Sequence, residues 1–158
     1  MLRLAVSERH PTRADVRRLV DNMRPADRAE VVAMSGWDVY STVRRALNLS
    51  THYLAIDVDG ELAALVGVAP VALIDSVGAP WMLGTPVADR HPRALVVLGR
   101  RYIAEMHETY RTLQGYVHAQ HLQSVRWLSM LGFTISPPCP MGVSGQAFHY
   151  FERTVCAP

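Results

Sequence analysis

The sequence has few of the features that would decide its class at once. Its 158 residues include only two cysteines, Cys139 and Cys156, too few for a disulfide framework, so a reducing cytoplasm is expected. No apolar run approaches the roughly 18 residues needed to cross a bilayer, because Asp57, Asp59 and Glu61 interrupt the most apolar stretch. No basic, apolar and small-residue leader is read at the start, and no membrane association is expected. Charge of one sign is also lacking: 16 basic residues, all arginine, face 14 acidic ones for a net charge of +2. That balance gives no reason to expect nucleic acid as a partner. A phosphate-binding Walker loop, zinc spacing, Ser-His-Asp spacing, internal repeats and low-complexity tracts are all absent. What is present is 49% hydrophobic and 19% charged residues in 158, which excludes intrinsic disorder and fits a single domain over 1–158.

The hydrophobic pattern then gives an order of elements. Leu2, Leu4 and Val6 alternate with Arg3, Ala5 and Ser7 as a half-buried strand that His10-Pro11 ends. Thr12 caps a helix with Val16, Leu19, Val20 and Met23 on one face. Pro25 opens a second helix over 26–34, Ser35-Gly36 closes it, and a third covers about 38–47. Tyr53–Val58 and Glu61–Leu73 read as strands joined by the hairpin signal Asp59-Gly60. A turn over 75–80 leads to a strand over 81–85. From Pro92 the period becomes helical, with Leu95, Leu98, Tyr102, Ile103, Met106 and Tyr110 on one stripe. A strand over 113–119, a helix over 122–131 stopped by Gly132, a strand start over 133–136, an irregular proline-rich crossing at 137–140 and a strand over 147–154 complete the chain. The pattern predicts a mixed α/β (α+β) sheet in which 53–85 is an antiparallel meander. The strand at 113–119 should run parallel to the one at 81–85, with the Pro92 helix as crossover and helices on both faces.

This order, and above all Ser124-Val125-Arg126-Trp127-Leu128-Ser129-Met130-Leu131-Gly132-Phe133, resembles the Gcn5-related N-acetyltransferase (GNAT) fold over nearly the whole chain. Arg24-Pro25-Ala26-Asp27-Arg28, Pro80-Trp81-Met82-Leu83-Gly84-Thr85, His91-Pro92-Arg93-Ala94 and Arg126-Trp127-Leu128 more narrowly resemble a tailed-phage gene-thirteen-type family of acetyltransferase-like proteins. The resemblance implies an N-acyltransferase of phage or prophage origin using acetyl-CoA or another acyl-CoA as co-substrate, with an amine or protein acceptor. Its alternative is a catalytically degenerate phage protein of the same fold that acts in virion assembly or binds a host protein. Either would act in the host-cell cytoplasm, the second with virion association.

In the GNAT fold the acyl-CoA lies between two splayed parallel strands, with its pyrophosphate on amides at the start of the long helix. The resemblance therefore assigns Leu83, Gly84, Thr85, Arg90, Arg93 and Ala94 to acyl-CoA, and 88–94 to the phosphate cradle. This cradle has no glycine, so Arg90 and Arg93 are expected to supply side-chain phosphate contacts in place of amides. The family's general-acid Tyr, four residues before the Gly of Leu-Gly-Phe, is Leu128 here, its strand Glu is missing from 81–85, and a common Asn is His121. Tyr116, His118 and His121 are the remaining candidates for proton transfer, since a phenol can act as acid and an imidazole as base near neutrality. The bland alternative is that Tyr116 and His118 only occupy one face of their strand. His118 and His121 lack a third ligand at metal spacing, so no metal is expected.

Overall fold

The computed structural model describes residues 4–72 and 74–156. The expected strand residues Leu2, Arg3 and Leu73 lie outside them. The first strand is β1 (Val6–Arg9), exposed over most of its length rather than half-buried, because it is an edge strand paired only with β2. Three helices follow: α1 (Arg13–Asn22), α2 (Pro25–Ser35) and α3 (Val39–Leu49). Thr12 and Asp15 form a capping box at the start of α1, and Gly36 ends α2 in the left-handed conformation at φ 67°. The Arg9 guanidinium holds the Asp15 carboxyl well below the usual range. Thr12→Ala is expected to lower stability by about 1 kcal/mol, measured by urea denaturation, and Thr12→Ser to lower it less.

β2 (His52–Val58), β3 (Glu61–Ala72) and β4 (Val77–Gly84) form the expected antiparallel meander. Asp59 (φ 49°) and Gly60 (φ 81°) are both left-handed, as the two-residue turn requires. β4 begins four residues before the strand expected at 81–85, and Thr85 lies past its end. Gly78 and Pro80, which read as turn residues, are accommodated by tertiary structure. A Cβ on residue 78 would stand 2.7 Å from the Tyr110 ring. Pro80 loses no ladder bond, because alternate residues of β4 point their backbone groups away from β3.

The loop expected at 88–94 is a correction. Pro86–Arg90 is a short helix, α4, capped by Thr85, and only His91 separates it from α5 (Pro92–His107). Tyr110 lies beyond α5, where its hydroxyl pairs with that of Thr51 at 2.8 Å. β5 (Thr112–His118), α6 (Leu122–Met130), β6 (Thr134–Ile135), β7 (Cys139–Met141) and β8 (Gln146–Thr154) follow. The proline-rich crossing thus contains a short strand, because Cys139 and Met141 pair with β8.

The sheet order is β1-β2-β3-β4-β5-β8-β6, with β7 also on β8, and every pairing is antiparallel except β4 with β5. That parallel pair is joined only at Val77–Thr112 and Gly78–Leu113. Beyond these the two strands separate. Strand alternation sends Leu65 and Leu83 to α1–α3 on one face and Ala64 and Val66 to Tyr102 of α5 on the other, and the bulge between Leu62 and Ala64 brings Leu62 to the first face as well. Both faces are therefore covered, and the gap between β4 and β5 connects them.

Candidate active site

Residues 80, 82 and 84 of β4 turn their backbone groups toward the gap, since the alternate residues bond β3. The even-numbered residues of β5 face it from the other side. At the open end α2 crosses this gap with two carboxylates one turn apart. Asp27 Oδ2 accepts the Gly84 N–H at 2.8 Å, and Glu30 Oε2 accepts the His118 N–H at 2.7 Å. Each acid caps the last amide of one splayed strand. The carbonyl of Gly84 in turn accepts the Arg24 N–H at 2.9 Å. Met82 keeps its backbone pair turned into the gap, and Pro80 has no N–H to offer.

Asp27 is the centre of a buried cluster. Arg24 grips it with two bonds of 2.9 and 3.0 Å, and His121 Nε2 lies 2.6 Å from Oδ1. Arg24 also reaches Asp89 at 3.0 Å. Burial pushes the Asp27 carboxyl up, but the His121 hydrogen bond, the Arg24 charge and the Gly84 amide outweigh it and hold the group below the usual range. An ionised carboxylate only accepts, so His121 Nε2 carries the proton of that bond. Ser124 Oγ is 3.0 Å from the same nitrogen. A catalytic triad needs the serine and the carboxylate on opposite ring nitrogens, so this trio is not one.

His118 is equally constrained. Its Nδ1 accepts the Gln120 N–H at 3.1 Å, which leaves the proton on Nε2 to donate to Gln146 Oε1 at 2.6 Å. Both ring nitrogens are occupied. Glu30 is the freer group: burial raises its carboxyl above the ordinary value, against the His118 amide and the His121 charge that oppose the rise. It faces a cavity of about 270 Å³ that also meets Met34, Ser35 and Tyr116 on one side of the gap and Tyr102, Trp127 and Leu128 on the other. A second cavity of about 240 Å³ adjoins it between α5 and α6, bounded by Pro92, Leu95, Val96 and Arg126. The two share Met82, Ser124 and Trp127 as walls. Trp127 Nε1 is buried there without a hydrogen-bond partner among the described residues.

The other residues singled out in the sequence divide clearly. Leu83 and Tyr116 line the first cavity. The Gly84 amide is occupied by Asp27, and a Cβ there would stand 3.0 Å from Arg24 Nε. Thr85 gives its hydroxyl to the Leu62 carbonyl at 2.7 Å. Arg90 pairs with Glu61 at 2.7 Å on the surface, whereas Arg93 is exposed and makes no ion pair among the described residues. Arg93 and Ala94 lie in the first turn of α5, before its first backbone bond from Leu95 N–H to the His91 carbonyl. No side chain caps that helix. Sequence reasoning missed Arg24, Asp27, Glu30 and Ser124 as site residues. Asp27 and Glu30 at i and i+3, just after a helix-opening proline, were the available signal. Among the described residues no group of three or more His, Cys, Asp or Glu side chains is placed to hold a metal ion. No helix among them is long and apolar enough to cross a membrane.

Neither a known protein family nor a curated protein matches the sequence. Solved structures do match the chain. A spermidine N-acetyltransferase from Vibrio cholerae, in complex with CoA and spermine, superposes with a TM-score of 0.66 over 94% of this chain and 95% of its own, at 12% identity. The fold is the GNAT fold. A ribosomal-protein-alanine N-acetyltransferase from Brucella melitensis gives 0.72 at 15% identity, over 94% of this chain and 99% of that one. The yncA protein from Salmonella typhimurium, solved with its cofactor acetyl-CoA, gives 0.66 at 14% identity, covering 98% of each chain. At such identities the GNAT likeness extends to the fold and not to a particular acceptor.

Proposed function

We propose that the chain is an acyl-CoA-dependent N-acyltransferase whose co-substrate lies in the two adjoining cavities, with acyl transfer at the β4–β5 gap. The observation that carries this reading is the unpartnered Trp127 Nε1 on the wall common to both cavities. A buried donor without an acceptor is costly, and an amide carbonyl of a bound pantetheine arm would satisfy it. The Met82 backbone supplies a second amide-binding edge, and the uncapped start of α5 with Arg93 suits the phosphates. Arg90 is already held by Glu61, so Arg93 carries the larger share.

Glu30 is the base in this scheme. Its raised carboxyl takes one proton from the acceptor ammonium, and the freed amine attacks the thioester carbonyl. As the C–N bond forms and the C–S bond breaks, sulfur leaves with the bonding pair and receives the second amine proton. Ser124, whose hydroxyl stands on the shared wall, is the relay. Tyr116 borders the acceptor side of the gap. His118 and His121 act as positioning residues: His118 through the amide that orients Glu30, and His121 through its bonds to Asp27 and Ser124. The acceptors named for the similar structures differ from one another, and no described feature favours a phage origin, a virion partner or a host-protein partner.

Calorimetric titration with acetyl-CoA tests the reading, followed by thiol release with a panel of amines. Saturable binding is expected, and Arg93→Ala should weaken it about ten- to a hundred-fold, the worth of a charge-assisted phosphate contact. Arg90→Ala should weaken it less. Absence of binding by the wild type would overturn the proposal.

A further inference from the structure

We infer that the acyl group this site prefers is longer than acetyl, a chain of about six carbons; the inference rests on the acyl-CoA reading above. α5 is the crossover between β4 and β5, so it runs back along both strands, from their separated ends to the Val77–Thr112 pair where they close. The cavities follow its sheet-facing side from Pro92 to Met106, a distance of about 21 Å at 1.5 Å per residue. A pantetheine arm has about twelve bonds between its phosphate ester oxygen and its sulfur, which at about 3.5 Å per three bonds reaches about 14 Å. With the phosphates at the start of α5, about 7 Å of cavity remains beyond the sulfur.

The walls of that remainder identify what fits it. Tyr102, Ile103, Met106, Phe133 and Phe151 border it, with no carboxylate among them to hold an ammonium group, and the Tyr102 hydroxyl is buried without a hydrogen-bond partner among the described residues. Glu30, the acid that does face the cavity, comes from α2 on the opposite face of the sheet. An apolar space of this kind stays dry and accepts hydrocarbon. Leu128 borders the passage as well, and the single Tyr102 hydroxyl falls short of the two to four polar partners that a buried water needs. The chain ends at the closed end of the splay, where the Gly78–Leu113 pairing joins the strands and Tyr110 packs over Gly78.

The test is a calorimetric series on the wild-type protein with CoA, acetyl-CoA, hexanoyl-CoA and dodecanoyl-CoA. Hexanoyl-CoA is expected to bind at least tenfold more tightly than acetyl-CoA, with no further gain for dodecanoyl-CoA. If acetyl-CoA binds and hexanoyl-CoA binds no tighter, the inference is overturned while the acyl-CoA reading stands. A continued rise to dodecanoyl-CoA overturns the closed end and with it the inference. If no thioester binds, both fall. Met106→Trp, which fills the far end, should shrink the hexanoyl-over-acetyl preference, and an undiminished preference in a folded Met106→Trp protein would place the chain elsewhere.

Discussion

Glu30→Gln is expected to lower kcat/KM for acyl transfer by about a hundred- to ten-thousand-fold, the usual cost of losing a general base. The amide oxygen of glutamine can still accept the His118 N–H, so the splay keeps its cap while the proton acceptor is lost. The pH profile separates this role from a structural one. For the wild type, kcat/KM should rise with pH as the carboxyl ionises, with an inflection above the ordinary carboxylate range because burial raises it. The inflection should vanish in Glu30→Gln. Stability should move the other way: between the unfolded and folded values the native state holds a proton the unfolded state has lost, so stability falls as pH rises. Glu30→Gln should therefore be no less stable than the wild type at neutral pH. Thiol release with a responsive amine measures the first effect and thermal melting the second. Wild-type turnover with an intact inflection would remove Glu30 from the mechanism.

The largest expected loss of stability belongs to Asp27→Ala. The substitution leaves the Arg24 guanidinium buried without its carboxylate and strands the Gly84 N–H and His121 Nε2–H. Breaking a buried pair in this way costs about 3–5 kcal/mol, or roughly 6–20 °C in melting temperature for a domain of this size. Arg90→Ala removes an ion pair whose side chains are 60% and 64% exposed, and a loss below about 1 kcal/mol is expected. Because the Asp27 carboxyl is held below its usual range, its stabilisation is present above the unfolded value and lost as pH falls through the folded one. The gap between Asp27→Ala and the wild type should therefore narrow in acid. Equal melting of Asp27→Ala and Arg90→Ala at neutral pH would contradict the central place given to Asp27.

The elements with strong local signals are legible in the sequence. Thr12 capping α1, Gly36 closing α2, the Asp59-Gly60 hairpin and the parallel return through α5 all follow from local backbone chemistry and period. β4 and α4 were less so. Gly78 and Pro80 carry turn signals that a close Tyr110 ring and an unpaired strand edge override. The site was harder still, because its polar contacts join residues far apart in the chain. Glu30 meets the His118 amide across 88 positions, and Asp27 meets His121 across 94. Two histidines near the end of a strand read, from their spacing alone, as proton carriers. Their ring nitrogens are instead tied to Gln120, Gln146, Asp27 and Ser124, partners that spacing along the chain does not reveal.

The most direct measurement is the indole N–H region of a nitrogen-resolved NMR spectrum during titration with acetyl-CoA. Three tryptophans give three signals. Trp81 Nε1 already donates to Ser50 Oγ at 2.8 Å, Trp37 is 51% exposed on α2–α3, and Trp127 Nε1 is buried without a partner. Acyl-CoA in the adjoining cavities should give the Trp127 signal a saturable shift in the direction of a stronger hydrogen bond, at the same concentrations at which heat is released, while Trp37 stays in place. Titration to saturating acetyl-CoA with the Trp127 signal unmoved would contradict the placement of acyl-CoA between β4 and β5.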